Sequence, residues 1–454
     1  MDHKLSFKER FSYSIANLGI VLVWTSISSF LVIFYTDVAL LPTAAIGLFI
    51  LLSRVLDAFV EFFQGLIIDR GKSPKGKYRV WVFRMAIPFG AAAVLCFSAF
   101  PEWPVAIRIL YAVVTYNIMN TIVYSMLDMP YNALGAAITQ SQYERSILNV
   151  FRVFMAIIGG LIVNIAVPAL TSAFGGGPTA WRLTFVIFGV VAAVLILFTY
   201  FNTEERVVVE REDKLEAKVA FKSLFRNKYW VMLLAFSIIY YTASGLGGMG
   251  AFFAREVLGD FALIGTITVF GVVPMILGVF VLAPVVKRQG KRNSALIGNI
   301  SIIIGCLIIA FAGTSLPIVF VSTAFRAFGA AFIIGTLFAM INDAIEYGEW
   351  KTGERTGALV STASALGANL GNGIGVAIVS FSLALGGYAA MEVFHTGPTG
   401  QPDSALFAIN FVYIWLPIIL SAAMVIIMLF YKLDKEYPTI LAELNARKSE
   451  EGQV

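Results

Sequence analysis

The chain has 454 residues, of which 59% are hydrophobic and 13% are charged. Soluble globular proteins carry about 25% charged residues, so lipid must be the solvent for much of this surface. The net charge of +5 does not indicate nucleic-acid binding, because the basic residues are spread over many short loops. The only histidines, His3 and His395, lie near one end and in a loop, which argues against a histidine-based catalytic centre. The composition therefore predicts a membrane protein. We expect it to be all-α because of its long apolar runs, and we do not expect an enzyme because the sequence offers no nucleophile–base pair or metal-ligand set.

Apolar runs of about 20 residues, the length that crosses a bilayer, recur along the whole chain. The polar start of the sequence leads into the first run without a small-residue cleavage site, so we expect a membrane helix there and not a removed signal. The sequence predicts twelve spans, at 12–37, 43–68, 80–100, 104–135, 147–171, 182–203, 229–253, 260–286, 294–313, 316–344, 357–387 and 405–431.

One long polar stretch divides these spans into two sets of six. Short basic turns at 65–77 and 283–292 follow the second and the eighth span, as duplicated six-helix units would produce. The predicted domains are an N-terminal six-helix bundle at 1–203, a cytoplasmic linker at 204–228, a C-terminal six-helix bundle at 229–432 and a cytoplasmic tail at 433–454.

The distribution of lysine and arginine predicts the orientation of the chain. Most loop Lys and Arg residues lie on the side of the two termini, whereas the opposite loops carry only Arg108, Arg182 and Arg255. Cytoplasmic loops are enriched in Lys and Arg. Both termini are therefore expected in the cytoplasm, in a multi-pass protein of a bacterial-type inner membrane.

Three ionisable residues remain inside the second span, where charge is costly and usually functional. Arg54, Asp57 and Glu61 are spaced i, i+3 and i+7, which places them on one helix face. Two carboxylates one turn apart repel each other unless a cation or a proton lies between them. Asp57 and Glu61 are therefore predicted to form a switchable cation site with Arg54 as charge partner. A self-neutralised structural cluster is the alternative.

The fourth span supplies the groups expected around a polyhydroxylated ligand. Asp128 is followed by Tyr131 and Asn132, an aromatic ring and an amide, and Arg152 in the fifth span is the nearest candidate counter-charge. Ser125 lies one turn before Asp128 and adds a hydroxyl oxygen to the same face of the helix.

Polar residues in the later spans leave more than one interpretation open. Glu346, near the cytoplasmic end of the tenth span, could have a structural role or a gating role. In the eleventh span Asn369 could contact a ligand or bond to a neighbouring helix. Glycines at 367, 371 and 375 give that helix a small-residue face for close packing.

Several strings of the sequence resemble the glycoside–pentoside–hexuronide:cation symporters, a family of the major facilitator superfamily. They are FYTDV (34–38), SRVLDAFVEFFQG (53–65), KGKYRVW (75–81), LDMPYNALGAAIT (127–139), IEYGEWKTGER (345–355) and YKLDKEYPTILAEL (431–444), and they extend over almost the whole chain. In addition, Gly65, Asp69 and Arg70 resemble the loop signature of the superfamily.

The resemblance implies the major facilitator fold, with two six-helix bundles, and symport of a sugar with Na⁺ or H⁺ by alternating access. It implies that Asp57, Glu61 and Ser125 couple the cation, and a bound Na⁺ would lie at the two acids. Substrate contacts are implied or predicted for Asp128, Tyr131, Asn132, Arg152 and Asn369. Gating or loop roles are expected for Gly65, Asp69, Arg70, Glu346 and Glu349. The expected partners are a small-molecule sugar or glycoside and the bilayer, with no nucleic acid and no cofactor, and the chain is expected to act as a monomer.

Some positions depart from the pattern of the family. Val21 stands where a sugar-binding Asp is found in the family, Asn369 replaces a lysine, and Val60 replaces an amide next to the second acid of span two. The identity of the sugar is therefore open, and fewer neutral oxygens around Glu61 favour H⁺ over Na⁺. A transporter of a non-sugar solute on the same fold and a cation-independent exchanger are the alternatives.

Overall fold

The computed structural model describes residues 5–70, 73, 76–207, 226–352, 362–390 and 400–450, and nearly all of them are helical. The helices are α1 (Phe7–Val38), α2 (Thr43–Arg70), α3 (Lys77–Cys96), α4 (Val105–Ile138), α5 (Gln142–Ala173), α6 (Pro178–Asn202), α7 (Lys228–Val257), α8 (263–289), α9 (291–312), α10 (Leu316–Thr352), α11 (Thr362–Leu385), α12 (Asp403–Phe430) and α13 (Leu433–Glu450).

Ten helical stretches among the described residues are long and apolar enough to cross a membrane. One of them, Leu263–Ala312, has 50 residues and contains the non-helical Gly290, which separates α8 from α9. Helix α2 has 28 residues but carries the charged residues of the second predicted span. Each of the twelve predicted spans therefore overlaps a helix in the described part of the chain.

The chain separates into two compact units. The first unit consists of Met1–Arg211, Gly247–Thr268 and Val376–Ile409, and the second unit of Glu212–Leu246, Val269–Gly375 and Asn410–Val454. The first unit thus holds α1 to α6 together with one end each of α7, α8, α11 and α12. The units do not coincide with the predicted halves, because these helix ends from the second half of the chain pack on the first.

Close helix contacts and aromatic stacking build the core of the first unit. Helix α3 meets α6 at Gly90 and Gly189, where a Cβ on Gly90 would lie 2.4 Å from the Gly189 carbonyl oxygen. Near one end of this contact Phe97 stacks on Phe185 with ring centroids 3.6 Å apart. These residues and Trp181 are buried, so α3 and α6 form a rigid support for the helices that carry the candidate site.

Helices α3 and α9 begin in the same way, which supports the predicted duplication. Each follows a glycine in the left-handed region, Gly76 (φ 99°) and Gly290 (φ 83°), where a side chain would be strained. The Glu205 carboxylate accepts hydrogen bonds from the first three backbone N–H groups of α3 at 2.6–2.8 Å. Asp434 accepts one from the Arg292 N–H at 2.7 Å. In each half, an acid that follows the sixth helix therefore caps the third.

A second repeated feature is a π-helical turn near the end of α1 and of α7. The turns are Phe34–Val38 and Phe253–Val257, with the related sequences FYTDV and FAREV. Each turn ends with two backbone hydrogen bonds that span five and six residues. In α1 they run from Ala39 N to Phe34 O (2.9 Å) and from Leu41 N to Tyr35 O (2.9 Å). In α7 they run from Leu258 N to Phe253 O (3.1 Å) and from Asp260 N to Ala254 O (3.1 Å).

In the second unit, the predicted tail contains a helix that packs on the bundle. Glu436 of α13 accepts a hydrogen bond from the Tyr229 hydroxyl at 2.8 Å, and Glu443 accepts one from the Trp350 indole at 2.7 Å. The predicted small-residue face of α11 lies against α7. A Cβ on Gly375 would be 2.4 Å from the Thr242 carbonyl oxygen, so only glycine allows this approach.

Candidate functional site

Asp57 lies at the contact between α2 and α4, where it is 1% exposed. Its Oδ2 accepts hydrogen bonds from Asn120 Nδ2 at 2.8 Å and from Arg54 at 3.4 Å. Its Oδ1 accepts a hydrogen bond from the Thr121 hydroxyl. Donors on both oxygens, including one guanidinium, stabilise the ionised carboxylate.

A π-helical turn in α4, Ile118–Tyr124, places Asn120 and Thr121 against Asp57. Such turns are rare in helices and are frequently found at functional sites. Gln64 of α2, itself buried, donates to the Thr121 carbonyl at 2.9 Å and to the Ile122 carbonyl at 3.2 Å. These bonds compensate the backbone carbonyls where the regular ladder is interrupted. Gln64 therefore supports the turn that orients the partners of Asp57.

Glu61 lies one turn further along α2 and is half-buried. The Ser125 hydroxyl donates to Glu61 Oε1 at 3.4 Å, a long hydrogen bond. The three residues predicted to couple a cation, Asp57, Glu61 and Ser125, thus lie along one contact between α2 and α4. Asn120 and Thr121 complete this group.

Asp128 begins a row of polar groups that joins α4 to α5. Asn132 Nδ2 donates to Asp128 Oδ2 at 2.7 Å, and Arg152 donates to Asn132 Oδ1 at 2.5 Å. Asn132 is exposed, and Asp128 and Arg152 are half-buried. A carboxylate, an amide and a guanidinium in one accessible row offer both acceptors and donors to the hydroxyl groups of a sugar.

Tyr131 lies behind this row and is fully buried. Its ring stacks on Tyr13 of α1 with centroids 4.9 Å apart, and its hydroxyl donates to the Tyr13 carbonyl at 3.0 Å. The Arg152 guanidinium lies 5.7 Å from the centroid of the Tyr131 ring. This position suits support of Arg152 through a cation–π contact rather than contact with a ligand.

An aromatic pair next to the site has no counterpart in the sequence prediction. Trp24 of α1 stacks on Tyr124 of α4 with centroids 4.5 Å apart and an interplanar angle of 19°. The Arg54 guanidinium lies 5.5 Å from the centroid of the Trp24 ring. Both aromatic residues are half-buried. Trp24 is an aromatic residue within a stretch of small and aliphatic residues, and this is the only sequence signal for the pair.

The π-helical turns of α1 and α7 meet in a buried ionic cluster that the sequence analysis did not predict. Arg255 is paired with Asp37 at 2.5 Å and with Glu256 at 2.8 Å. The Tyr388 hydroxyl accepts a hydrogen bond from Arg255 and donates to Glu256 at 3.0 Å. The hydropathy pattern places Arg255 in a loop, whereas in the structure it lies in α7 and is 5% exposed. Positions 37 and 255 are far apart in the sequence, so no local pattern could indicate their pairing.

Replacing Arg255 with Gln is expected to destabilise the first unit. Removing one partner of a buried ion pair leaves charge uncompensated and typically costs about 3–5 kcal/mol. Thermal unfolding in detergent is the measurement, and the triple replacement of Asp37→Asn, Arg255→Gln and Glu256→Gln, which removes all three charges, is expected to recover much of the lost stability. Equal stability of wild type and Arg255→Gln would contradict this role of the cluster.

The other predicted residues lie on α2, α10 and α11. Gly65 lies in α2, and the side chains of Asp69 and Arg70 lie outside the described residues. Glu346 accepts a hydrogen bond from the Tyr437 hydroxyl of α13, and Glu349 is buried. Asn369 is half-buried on α11, in the second unit. The contact of Glu346 with α13 suits a structural or gating role.

Val21, where the family resemblance implies a sugar-binding acid, makes an apolar contact. Its Cγ1 lies 3.0 Å from the position that a Cβ on Gly159 of α5 would take. The side chain therefore fills the space between α1 and α5. An acid at this position would lose that packing and would need a polar partner of its own.

Comparison with known proteins identifies the family. The isoprimeverose transporter of Lactiplantibacillus pentosus is 33% identical, over 99% of this chain and 93% of that protein. The putative glycoside/cation symporter YagG of Escherichia coli strain K12 is 28% identical, over 99% of this chain and 97% of that protein. A bacterial homologue of the iron transporter ferroportin, solved in the inward-facing state, superposes with a TM-score of 0.64 over 94% of this chain and 99% of the other. At 13% identity, that likeness shows the fold alone.

These findings confirm the predicted family and its major facilitator fold. They also confirm the prediction that the protein is a transporter and not an enzyme. The family described as MFS/sugar transport protein matches residues 12–435. The chain belongs to this family of multi-pass membrane transporters.

Proposed function

We propose that this protein transports a sugar or glycoside across the bacterial inner membrane together with a proton, by alternating access. The observation that carries the proposal is the position of Ser125 and Asp128 on α4, one turn apart. Ser125 contacts the coupling acid Glu61, and Asp128 begins the polar row that ends at Arg152. One helix therefore takes part in both candidate sites. The names of the isoprimeverose transporter and the glycoside/cation symporter support the class of cargo.

The surroundings of the two acids favour a proton over Na⁺. Asp57 already accepts hydrogen bonds on both oxygens, and two of its donors are N–H groups that cannot ligate a metal ion. Na⁺ would need several oxygen ligands at this contact. Glu61, half-buried and next to Ser125, is the carboxylate best placed to take up and release a proton.

Coupling follows from the cost of charge inside the membrane. Asp57 is paired with Arg54, and an ionised Glu61 one turn away adds a further negative charge to the contact between α2 and α4. Protonation of Glu61 removes this repulsion, and α4 then adopts the orientation in which Asp128 and Asn132 face the sugar. We propose that the carrier changes its conformation only when it is fully loaded or empty.

We also propose that both termini lie in the cytoplasm, as the positions of Lys and Arg in the loops predict. One chain carries both candidate sites, so a monomer is expected to be sufficient for transport.

Uptake into proteoliposomes tests the proposal. A panel of isoprimeverose, other glycosides, pentosides and glucuronides is offered under a pH gradient, under a Na⁺ gradient and with neither. We expect accumulation of one class of sugar that collapses when a protonophore dissipates the pH gradient. The control is a vesicle without protein.

Three other results would contradict parts of the proposal. Dependence on the Na⁺ gradient alone would replace the proton with Na⁺. Exchange of sugar without any gradient dependence would indicate a cation-independent exchanger. No uptake of any sugar would indicate a non-sugar cargo, and Val21 and Asn369 would then be the first positions to vary.

A further inference from the structure

A chain of contacts through the aromatic pair links the two candidate sites by a second route, besides α4 itself. Arg54 is 6% exposed and is the guanidinium that contacts Asp57. Its other described contact in this region is the face of Trp24, 5.5 Å away. The charge of Arg54 is therefore shared between a carboxylate and an aromatic ring. The strength of either contact depends on the state of the other.

The same contacts continue from Trp24 to α4. Trp24 lies nearly parallel to Tyr124, with centroids 4.5 Å apart. Tyr124 is the last residue of the π-helical turn and immediately precedes Ser125. Asp128 follows four residues later, so Tyr124 and Asp128 share one face of the helix. A change in the position of the Trp24 ring is therefore transmitted to the segment that carries both Ser125 and Asp128.

We infer, on the basis of the proposed function, that Trp24 is a positioning residue that couples occupancy of the cation site to the affinity for sugar. When Glu61 is ionised, the negative charge of the cation site draws the Arg54 guanidinium toward the two acids and away from Trp24. When Glu61 is protonated, Arg54 rests more fully on the Trp24 ring and holds the Trp24–Tyr124 stack in place. The stack then fixes α4 in the orientation in which Asp128 and Asn132 accept the sugar. Trp24 does not contact the cation in this scheme.

Other groups near Arg54 do not offer the same link. Asn120 and Thr121 bond directly to Asp57 and belong to the cation site itself. Tyr131, which supports Arg152, stacks on Tyr13 and not on Trp24. Among the described contacts, only Trp24 of α1 touches both the Arg54 guanidinium and Tyr124 in the π-helical turn of α4.

The test compares Trp24→Leu, which removes the aromatic face, with Trp24→Phe, which retains one. Binding of radiolabelled isoprimeverose to purified protein is measured at acidic and at alkaline pH and with and without Na⁺. The readout is the ratio of the sugar affinities with and without the coupling cation. Coupling between two sites typically amounts to about 5–150-fold. We expect this ratio to fall to within about 2-fold of unity in Trp24→Leu and to remain largely intact in Trp24→Phe.

The control is Trp103→Leu, the same chemical change in the loop between α3 and α4, where the side chain is 36% exposed. It is expected to keep the wild-type ratio. If Trp24→Leu lowers the affinity equally under both conditions and leaves the ratio unchanged, Trp24 only packs the helices and the inference is wrong. If the sugar affinity of wild-type protein does not depend on the cation at all, the proposed symport itself is wrong. This result differs from an unchanged ratio in Trp24→Leu, so failure of the proposed function can be distinguished from failure of the inference.

Discussion

Replacing Asp57 with Asn is expected to abolish gradient-driven accumulation of the sugar. The carboxylate accepts hydrogen bonds from Thr121, Asn120 and Arg54 at once. A neutral amide has one acceptor oxygen, so it cannot satisfy these donors, and Arg54 would remain buried without its carboxylate. Residue 57 would then carry no charge, so protonation of Glu61 would no longer reduce the number of negative charges at the contact between α2 and α4 from two to one. The internal concentration of sugar should rise only to the external concentration, as measured by uptake under a pH gradient.

A loss of uptake could also follow from misfolding, because leaving a buried charge without its partner is destabilising, by about 3–5 kcal/mol in typical cases. The double replacement Arg54→Gln with Asp57→Asn removes both charges. It is expected to recover thermal stability in detergent while accumulation remains absent. Normal accumulation in Asp57→Asn, or in the double variant, would show that Asp57 does not take part in coupling. Glu102→Gln is a matched control, since it removes a carboxylate from an exposed loop.

Helical periodicity was sufficient to place Asp57 and Glu61 on one face of α2, and the family resemblance added Ser125 to the same hypothesis. It was not sufficient for Asn120 and Thr121. A regular α-helix repeats every 3.6 residues, but the π-helical turn at Ile118–Tyr124 inserts an extra residue and changes which side chains face α2. No simple sequence rule predicts such a turn. The partners of Asp57 therefore became apparent only from the structure.

Tyr131 illustrates a different limit of the sequence. Its neighbours Asp128 and Asn132 line an accessible row, and an aromatic residue beside them suggested contact with the ligand. Its side chain instead lies against Tyr13, a residue 118 positions earlier in the chain. The sequence shows which residues share a helix, but the partner helix decides which of them are covered. The same reason explains why the cluster around Arg255 was not predicted.

The overall division of the chain was predictable only in part. The long polar stretch after residue 203 divides the predicted spans into two sets of six in sequence. The compact units follow a different division, since Gly247–Thr268 and Val376–Ile409 belong with the first six helices. Hydropathy defines where a span begins and ends, but it contains no information on which helix ends pack together. Such packing depends on individual contacts, among them the pairing of Asp37 with Arg255.

Replacing Asp128 with Asn is expected to weaken sugar binding while leaving the cation site intact. Asn132 donates a hydrogen bond to Oδ2 of Asp128. Among the described residues no hydrogen bond to Oδ1 of Asp128 is found, so Oδ1 can accept a hydrogen bond from a sugar hydroxyl. A hydrogen bond to a charged group contributes about 1.5–3 kcal/mol, so its loss corresponds to roughly a 10–150-fold weaker affinity. Binding of radiolabelled isoprimeverose to purified protein is the measurement.

The proton step provides the internal control for this variant. Asp57 and Glu61 keep their carboxylates in this variant, so the uptake of protons by the sugar-free protein on acidification should match that of wild type. Asn132→Ala is expected to have a smaller effect, because it removes a neutral hydrogen-bonding group and leaves the Asp128 carboxylate in place. If Asp128→Asn binds the sugar as tightly as wild type, the carboxylate does not contact the ligand. Selective loss of sugar binding in Asp128→Asn, together with selective loss of accumulation in the Asp57 variants, would separate the two sites that α4 joins.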